Sequence, residues 1–173
     1  MFRPRDVDDL AAFLAGCPTD IPVTVLGVGS NILVRDGGIR GVVVRLGRGF
    51  TDIAVNGTQI VAGGGALDIN IARLAADAHL ADLEFLSGIP GTIGGAVRMN
   101  AGAYGGDVGG VLDAVTLLNR AGQRTTLRRD SLSFAYRQSR LPPDAIVIGC
   151  TLAGTTGDPA AIRVRMAEIK QAR

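Results

Sequence analysis

The chain has 173 residues, 47% hydrophobic and 20% charged, which excludes a disordered polymer and suits one core or two small lobes. Its formal charge of +2 is spread along the chain and aromatics make up only 4%, so nucleic acid would find neither a basic stripe nor a stacking platform. Glycine departs from the ordinary: 25 residues is about twice the usual share of ~7%, without a collagen-like period, and points to tight turns and close approaches of backbone to something bound.

Two cysteines, Cys17 and Cys150, make no disulfide framework, and with His79 as the single histidine they offer no zinc-ligand spacing. Arg124, Arg128 and Arg129 are the nearest thing to a basic cluster, but Asp130 follows at once and the alternation reads as a solvated edge strand. Residues 1–5 lack the apolar stretch of a signal peptide, and no run of ~18 apolar residues spans a bilayer. The expected location is the cytoplasm, with no membrane partner.

In chain order, residues 8–15 read as a helix with Asp6 as N-cap and Gly16 as stop. A short strand at 22–26 leads through the turn Gly27-Val28-Gly29-Ser30 into a second apolar run, Ile32 to Val34, expected to be a strand. After the turn signal Asp36-Gly37-Gly38, residues 41–45 form a third, whose Val42-Val43-Val44 suggests burial on both faces. A lobe boundary falls near 46–50. A meander follows, 52–55 and 59–62 about Asn56-Gly57.

Apolar spacing at Leu67, Ile71, Leu74, Ala75 and Ala78 predicts a helix over 67–80, carrying His79. From Ser87 to Gly110 the glycine density is too high for a regular core element. A second hairpin is expected at 115–118 and 123–127 around Asn119 to Gly122, then a strand at 145–151. The last helix has Asp158 as cap, Pro159 at its first position, and Ile162, Met166 and Ile169 on one face. It is still running at Arg173, as though the polypeptide were cut short.

Three segments could carry chemistry. In Leu26-Gly27-Val28-Gly29-Ser30-Asn31, bare backbone amides could form a nest for phosphate oxygens, although a plain strand-to-strand turn serves as well. It is no dinucleotide fingerprint, because Ile32 stands where a third glycine belongs, and no Gly-Lys-Ser/Thr follows for a P-loop. In Ser87-Gly88-Ile89-Pro90-Gly91-Thr92-Ile93-Gly94-Gly95, Pro90 directs the chain, Thr92 could cap a short helix, and amides from Thr92 to Gly95 could converge on an anion. Gly94 and Gly95 inside that helix each cost about 1 kcal/mol against alanine, which makes sense only where a ligand or another backbone comes very close. The third segment, Tyr136-Arg137-Gln138-Ser139, sets a guanidinium beside hydroxyls, otherwise a common surface pairing.

Leu-Gly-Val-Gly-Ser-Asn-Ile-Leu-Val at 26–34, Ser-Gly-Ile-Pro-Gly-Thr-Ile-Gly-Gly-Ala at 87–96, Asn-Ala-Gly-Ala-Tyr-Gly at 100–105 and Tyr-Arg-Gln-Ser at 136–139 together resemble the UDP-N-acetylmuramate dehydrogenase family, the UDP-N-acetylenolpyruvoylglucosamine reductases or MurB proteins. The resemblance implies an α+β, two-lobed FAD-binding fold of the vanillyl-alcohol-oxidase (PCMH) type. Residues 1–46 would be the first FAD-binding lobe, lacking its first strand, and 47–173 the second, with the substrate-binding third lobe absent. It implies non-covalent FAD held by Gly27, Gly29, Ser30, Asn31, Ser87, Gly88, Pro90, Gly91, Thr92, Gly94 and Gly95.

It further implies NADPH as co-substrate and a UDP-sugar substrate near Asn100, Tyr104 and Tyr136, with Arg137 as the catalytic cation in peptidoglycan precursor synthesis. The family's proton donor, a serine in a Gly-Ser-x-Phe-Lys-Asn segment, and its assisting glutamate have no counterpart in the chain. Truncation at both ends, and inactivity of the chain alone, are therefore expected. A non-catalytic flavin-binding module, or another FAD oxidoreductase of the same superfamily, stays open as an alternative.

Overall fold

The computed structural model describes residues 1–172. Helix α1 (Val7–Gly16) starts where the Asp6 carboxylate accepts from the Asp9 amide, and it buries Leu10 and Leu14. Strands β1 (Val23–Leu26) and β2 (Val42–Arg45) pair in parallel, from Val23 opposite Val42 to Leu26 opposite Arg45. Phe2 lies along the other edge of β2, donating to Val43 and accepting from Arg45. Only Val44 of the valine triplet is fully buried, because α1 covers one face of this small sheet alone.

The 15 residues between β1 and β2 contain no strand. Ile32 to Val34, expected as a strand, is an exposed irregular loop with Leu33 at 91% exposure. Its apolar letters imitate a buried strand, but no neighbouring strand offers it a ladder.

Strands β3 (Ile53–Asn56) and β4 (Gln59–Gly63) form the first hairpin. Helix α2 (Asp68–Asp77) is shorter than its apolar spacing suggests. It ends because His79 adopts φ +59°, beyond the helix, and Leu80 already belongs to β5 (Leu80–Ala81). Helix α3 (Ile93–Met99) then occupies the glycine-dense stretch, with Ile93, Ala96 and Val97 buried, so that stretch does hold a regular core element. Two short strands, β6 (Gly102–Ala103) and β7 (Gly106–Asp107), and one helical turn, α4 (Val108–Val111), complete it.

Strands β8 (Leu112–Leu118) and β9 (Arg124–Arg128) close the second hairpin, where the Asn119 side-chain oxygen accepts from the amides of Ala121 and Gln123. A small hairpin, β10 (Phe134–Ala135) and β11 (Gln138–Ser139), precedes the long strand β12 (Ile146–Ala153). Strand β13 (Thr155–Thr156) pairs with β5. Helix α5 (Pro159–Gln171) starts with Asp158 accepting from Ala160 and buries Ile162 and Ile169.

The main sheet is antiparallel with strand order β3-β4-β12-β8-β9. Alternate residues of its central strand point to opposite faces. Ile146 and Ile148 join Leu10, Leu14, Val44 and Phe50 on the side of α1, while Val147, Cys150 and Leu152 join Ile71, Leu86 and Ile93 on the side of α2 and α3. A register shift between Val147 and Gly149 lets both Val147 and Cys150 face the larger cluster.

Candidate functional site

The first glycine segment leaves β1 and docks on the second. The Cα of Gly27 lies so close to Thr92 that a Cβ there would collide with the threonine hydroxyl. Ser30 Oγ donates to the Pro90 carbonyl at 2.7 Å, and Asn31 Nδ2 donates to Met99 Sδ at 3.1 Å. Among the described residues, the backbone amides of Val28 to Ile32 donate to no group of the chain. Exposed and unpaired, they are available to phosphate oxygens.

The start of α3 behaves differently from its sequence reading. Thr92 stands at the N-cap position, yet its side chain caps nothing. The amide of Ile93 donates to Ala66, that of Gly94 to Gly64, and that of Gly95 to Thr92, at 2.9–3.0 Å. These amides therefore do not converge on an anion: Gly64 and Ala66, running beside the turn, take the first two, and the helix's own first turn takes the third. The glycines nonetheless answer to close approach. A Cβ on Gly94 would lie 2.7 Å from the Gly64 carbonyl oxygen, whereas one on Gly95 would meet nothing within 4 Å.

Between these segments opens a cleft of about 490 Å³, within the range of small-molecule sites. Val25, Leu26 and Gly27 line one side, and Gly94, Gly95 and Ile146 the other. Arg98, Arg120 and Asp144 also border it, and the sequence reading missed all three. Arg98 donates to the carbonyls of Pro142, at 3.0 Å, and Ala145, which fixes the loop bordering the cleft. Burial lowers the guanidinium's pKa, and the nearby Asp144 carboxylate opposes that shift. Only its place directly after the glycine segment could have signalled Arg98.

Thr92 lines the cleft too, and the other expected site residues fall outside its lining. Ser87 and Gly88 end a 3-10 turn over Glu84–Gly88, where Ser87 Oγ donates to Glu84 and Gly88 abuts the Tyr104 ring and Ile169. Asn100 is buried, with φ +44°; it donates to the Ala135 carbonyl at 3.0 Å and accepts from the Gly109 amide at 2.8 Å. It thereby ties the β10–β11 hairpin to the end of α3, helped by Ser139 Oγ donating to the Arg98 carbonyl. At the hairpin tip Tyr136 is 91% exposed and Arg137 is exposed, its guanidinium carbon 5.9 Å from the Tyr136 ring centroid.

Residues 1–128 match the model of a family described as the FAD binding domain. The chain belongs to this FAD binding domain family. It is 54% identical over its whole length to a UDP-N-acetylenolpyruvoylglucosamine reductase of Azorhizobium caulinodans and 51% identical to one of Rhodospirillum rubrum. It spans only 56% and 54% of their lengths, about half of the curated relatives it matches.

Among solved structures it resembles the UDP-N-acetylenolpyruvylglucosamine reductase (MurB) of Thermus caldophilus, with TM-score 0.86 and 36% identity over 99% of this chain and 61% of that one. The 6-hydroxy-D-nicotine oxidase of Arthrobacter nicotinovorans, at 18% identity and TM-score 0.67 over 87% of this chain and 35% of that one, shares the fold. The α+β fold is thus the FAD-binding fold of the vanillyl-alcohol-oxidase type.

Within this FAD binding domain one group stands out as unsatisfied. Asp68, first residue of α2, is fully buried, and among the described residues neither carboxyl oxygen has a hydrogen-bond partner. Burial raises its pKa from 3.8 to about 7. Burial of the Cys150 thiol, and secondarily the Asp68 charge, push that thiol up to about 12, which leaves the sulfur an inert core group.

Proposed function

We propose that this chain is the flavin-binding portion of a UDP-N-acetylenolpyruvoylglucosamine reductase, an NADPH-dependent enzyme of peptidoglycan precursor synthesis, acting in the cytoplasm in cell-wall biogenesis and so in cell shape and division. One observation carries the reading: Gly27 and the start of α3 touch, and beside that contact lies a cleft whose floor at Gly95 is bare of side chain. A flat ring needs such a floor, and a diphosphate needs amides such as those of Val28 to Ile32, which the chain leaves unpaired. The 51–54% identity to named reductases supports the same reading.

On this reading residues 1–46 and 47–173 are the two FAD-binding lobes. Gly27, Gly29, Ser30 and Asn31 hold the diphosphate, and the turn from Thr92 to Gly95 lies along the ring. FAD held there would supply hydride, drawn from NADPH, for the enolpyruvyl double bond of a UDP-sugar. Hydride addition at the methylene carbon would build negative charge on the neighbouring carboxylate, and the Arg137 guanidinium would meet that charge with an interaction stronger in the transition state than in the ground state. Asn100 positions that arginine's hairpin, and Tyr104 and Tyr136 face the sugar nucleotide.

The purified chain is expected to bind one equivalent of FAD, quenching flavin fluorescence, and to emerge yellow from desalting. At FAD concentrations near 100 times the dissociation constant, stability should rise by about 2.7 kcal/mol, read as a higher Tm. Fluorescence and Tm both indifferent to added FAD overturn the proposal.

A further inference from the structure

Pro143, Asp144 and Ala145 wall the cleft, yet their segment has few means of holding itself. Pro142 and Pro143 carry no N–H, so no ladder forms across them, and within the segment the Ala145 amide reaches back to the Pro142 carbonyl at 3.2 Å. One side chain supplies the rest. Arg98 Nη1 donates to the carbonyls of Pro142, at 3.0 Å, and Leu141, at 3.4 Å, and Nη2 donates to that of Ala145. A planar guanidinium serves such spread acceptors with one rigid fork, which an ammonium on a flexible stem cannot do. The main chain of the same residue grips the other end, where Ser139 Oγ donates to the Arg98 carbonyl at 2.6 Å. Residues 139–145 are thus fastened at both ends to a single residue of α3.

Arg98 stands three positions after Gly95, so the two share a helix face, and both border the cleft. Whatever covers Gly95 therefore lies against the clasp. On its far side the clasped segment runs directly into β11 and the tip that carries Arg137, whose left-handed backbone, φ +56°, persists only while its surroundings enforce it. We propose that Arg98 is a positioning residue that links the flavin cleft to the Arg137 hairpin. Its guanidinium holds residues 141–145 as cleft wall, its carbonyl holds Ser139, and a dinucleotide seated against that wall steadies the hairpin in turn. This assignment rests on the cleft being the flavin site. Coupling is reciprocal, so the factor by which FAD quiets the hairpin should match the factor by which a broken clasp weakens FAD binding.

The test follows amide hydrogen exchange of the full chain by NMR, with and without saturating FAD, for the parent, Arg98→Met and Arg98→Lys, alongside FAD titration by quenching of flavin fluorescence. Two amides report: that of Arg140, which donates to the Ser133 carbonyl at the base of the hairpin, and that of Gly157, which donates to the His79 carbonyl away from the cleft lining. In the parent, FAD is expected to slow exchange at Arg140 by about 5-fold to 150-fold, the usual range of coupling between sites. Methionine keeps the stem without donors, and lysine keeps the charge without the fork. Both variants should speed Arg140 in the FAD-free chain, lose the FAD effect there, and bind FAD more weakly by a similar factor. A merely structural arginine would speed Arg140 and Gly157 alike and leave FAD still slowing Arg140 in the variants. That outcome, a parent whose Arg140 amide ignores bound FAD, or a lysine variant indistinguishable from the parent overturns the assignment while leaving the cofactor reading intact. The lysine variant decides the matter if the methionine variant does not fold. A parent chain that takes up no FAD overturns both.

Discussion

In the cofactor-free chain, Asp68→Asn is expected to raise stability at pH 8 by up to about 4 kcal/mol and to leave it nearly unchanged at pH 4. Below the unfolded carboxyl's pKa of 3.8, Asp68 is protonated in both states and pH has no purchase on it. Between there and about 7 the unfolded chain releases the proton while the folded chain retains it, because burial disfavours the charge. The folded state then binds more protons, so stability falls as pH rises through this window, and above about 7 the loss is complete. Urea unfolding from pH 4 to 9 reads the effect directly. Parent and Asn chains with parallel profiles would mean that Asp68 is solvated or paired in solution.

Two adjacent glycines are expected to respond in opposite directions. Gly94→Ala drives a methyl to 2.7 Å from the Gly64 carbonyl oxygen and 3.2 Å from that of Val147. Both are backbone atoms of the main-sheet side, so α3 must lift away from β4 and β12, at a cost of about 1–3 kcal/mol. Gly95→Ala meets nothing, and in the interior of an α-helix it gains about 0.5–1 kcal/mol from reduced backbone entropy in the unfolded state. FAD affinity should nevertheless fall in the Gly95 variant, since its methyl stands on the floor of the cleft. Urea unfolding paired with FAD titration separates the cases: Gly95→Ala with unaltered affinity would place the ring elsewhere.

The same pair marks the limit of what the sequence made legible. Side by side, Gly94 and Gly95 look equivalent, and only tertiary contacts reveal that one is bare for a neighbouring strand and the other toward the cleft. Local signals carried well where the cause is local. Asp6 and Asp158 cap their helices, and Asn119 shapes its turn with its own side chain. Apolar letters misled wherever burial depends on distant segments: Ile32 to Val34 is an exposed loop, and the valine triplet of β2 has one covered face. Asp68 and Arg98 carry no motif at all; the first matters because Gly91 and Ser30 close over it, and the second because residues 142–145 fold across it. The family motifs located both glycine segments, but not the carboxyl beneath their junction.

The division of β12 between the two apolar clusters also bears on how the molecule comes apart. Leu118, Ile146 and Ile148 complete the cluster around α1, while their neighbours Leu117 and Val147 belong to the other. A fragment ending at residue 46 would carry Leu10, Leu14 and Val44 with nothing from the main sheet to shield them, and the remainder would expose that sheet's back. Neither piece is self-sufficient, so the walls of the cleft gain and lose their order in one cooperative melt.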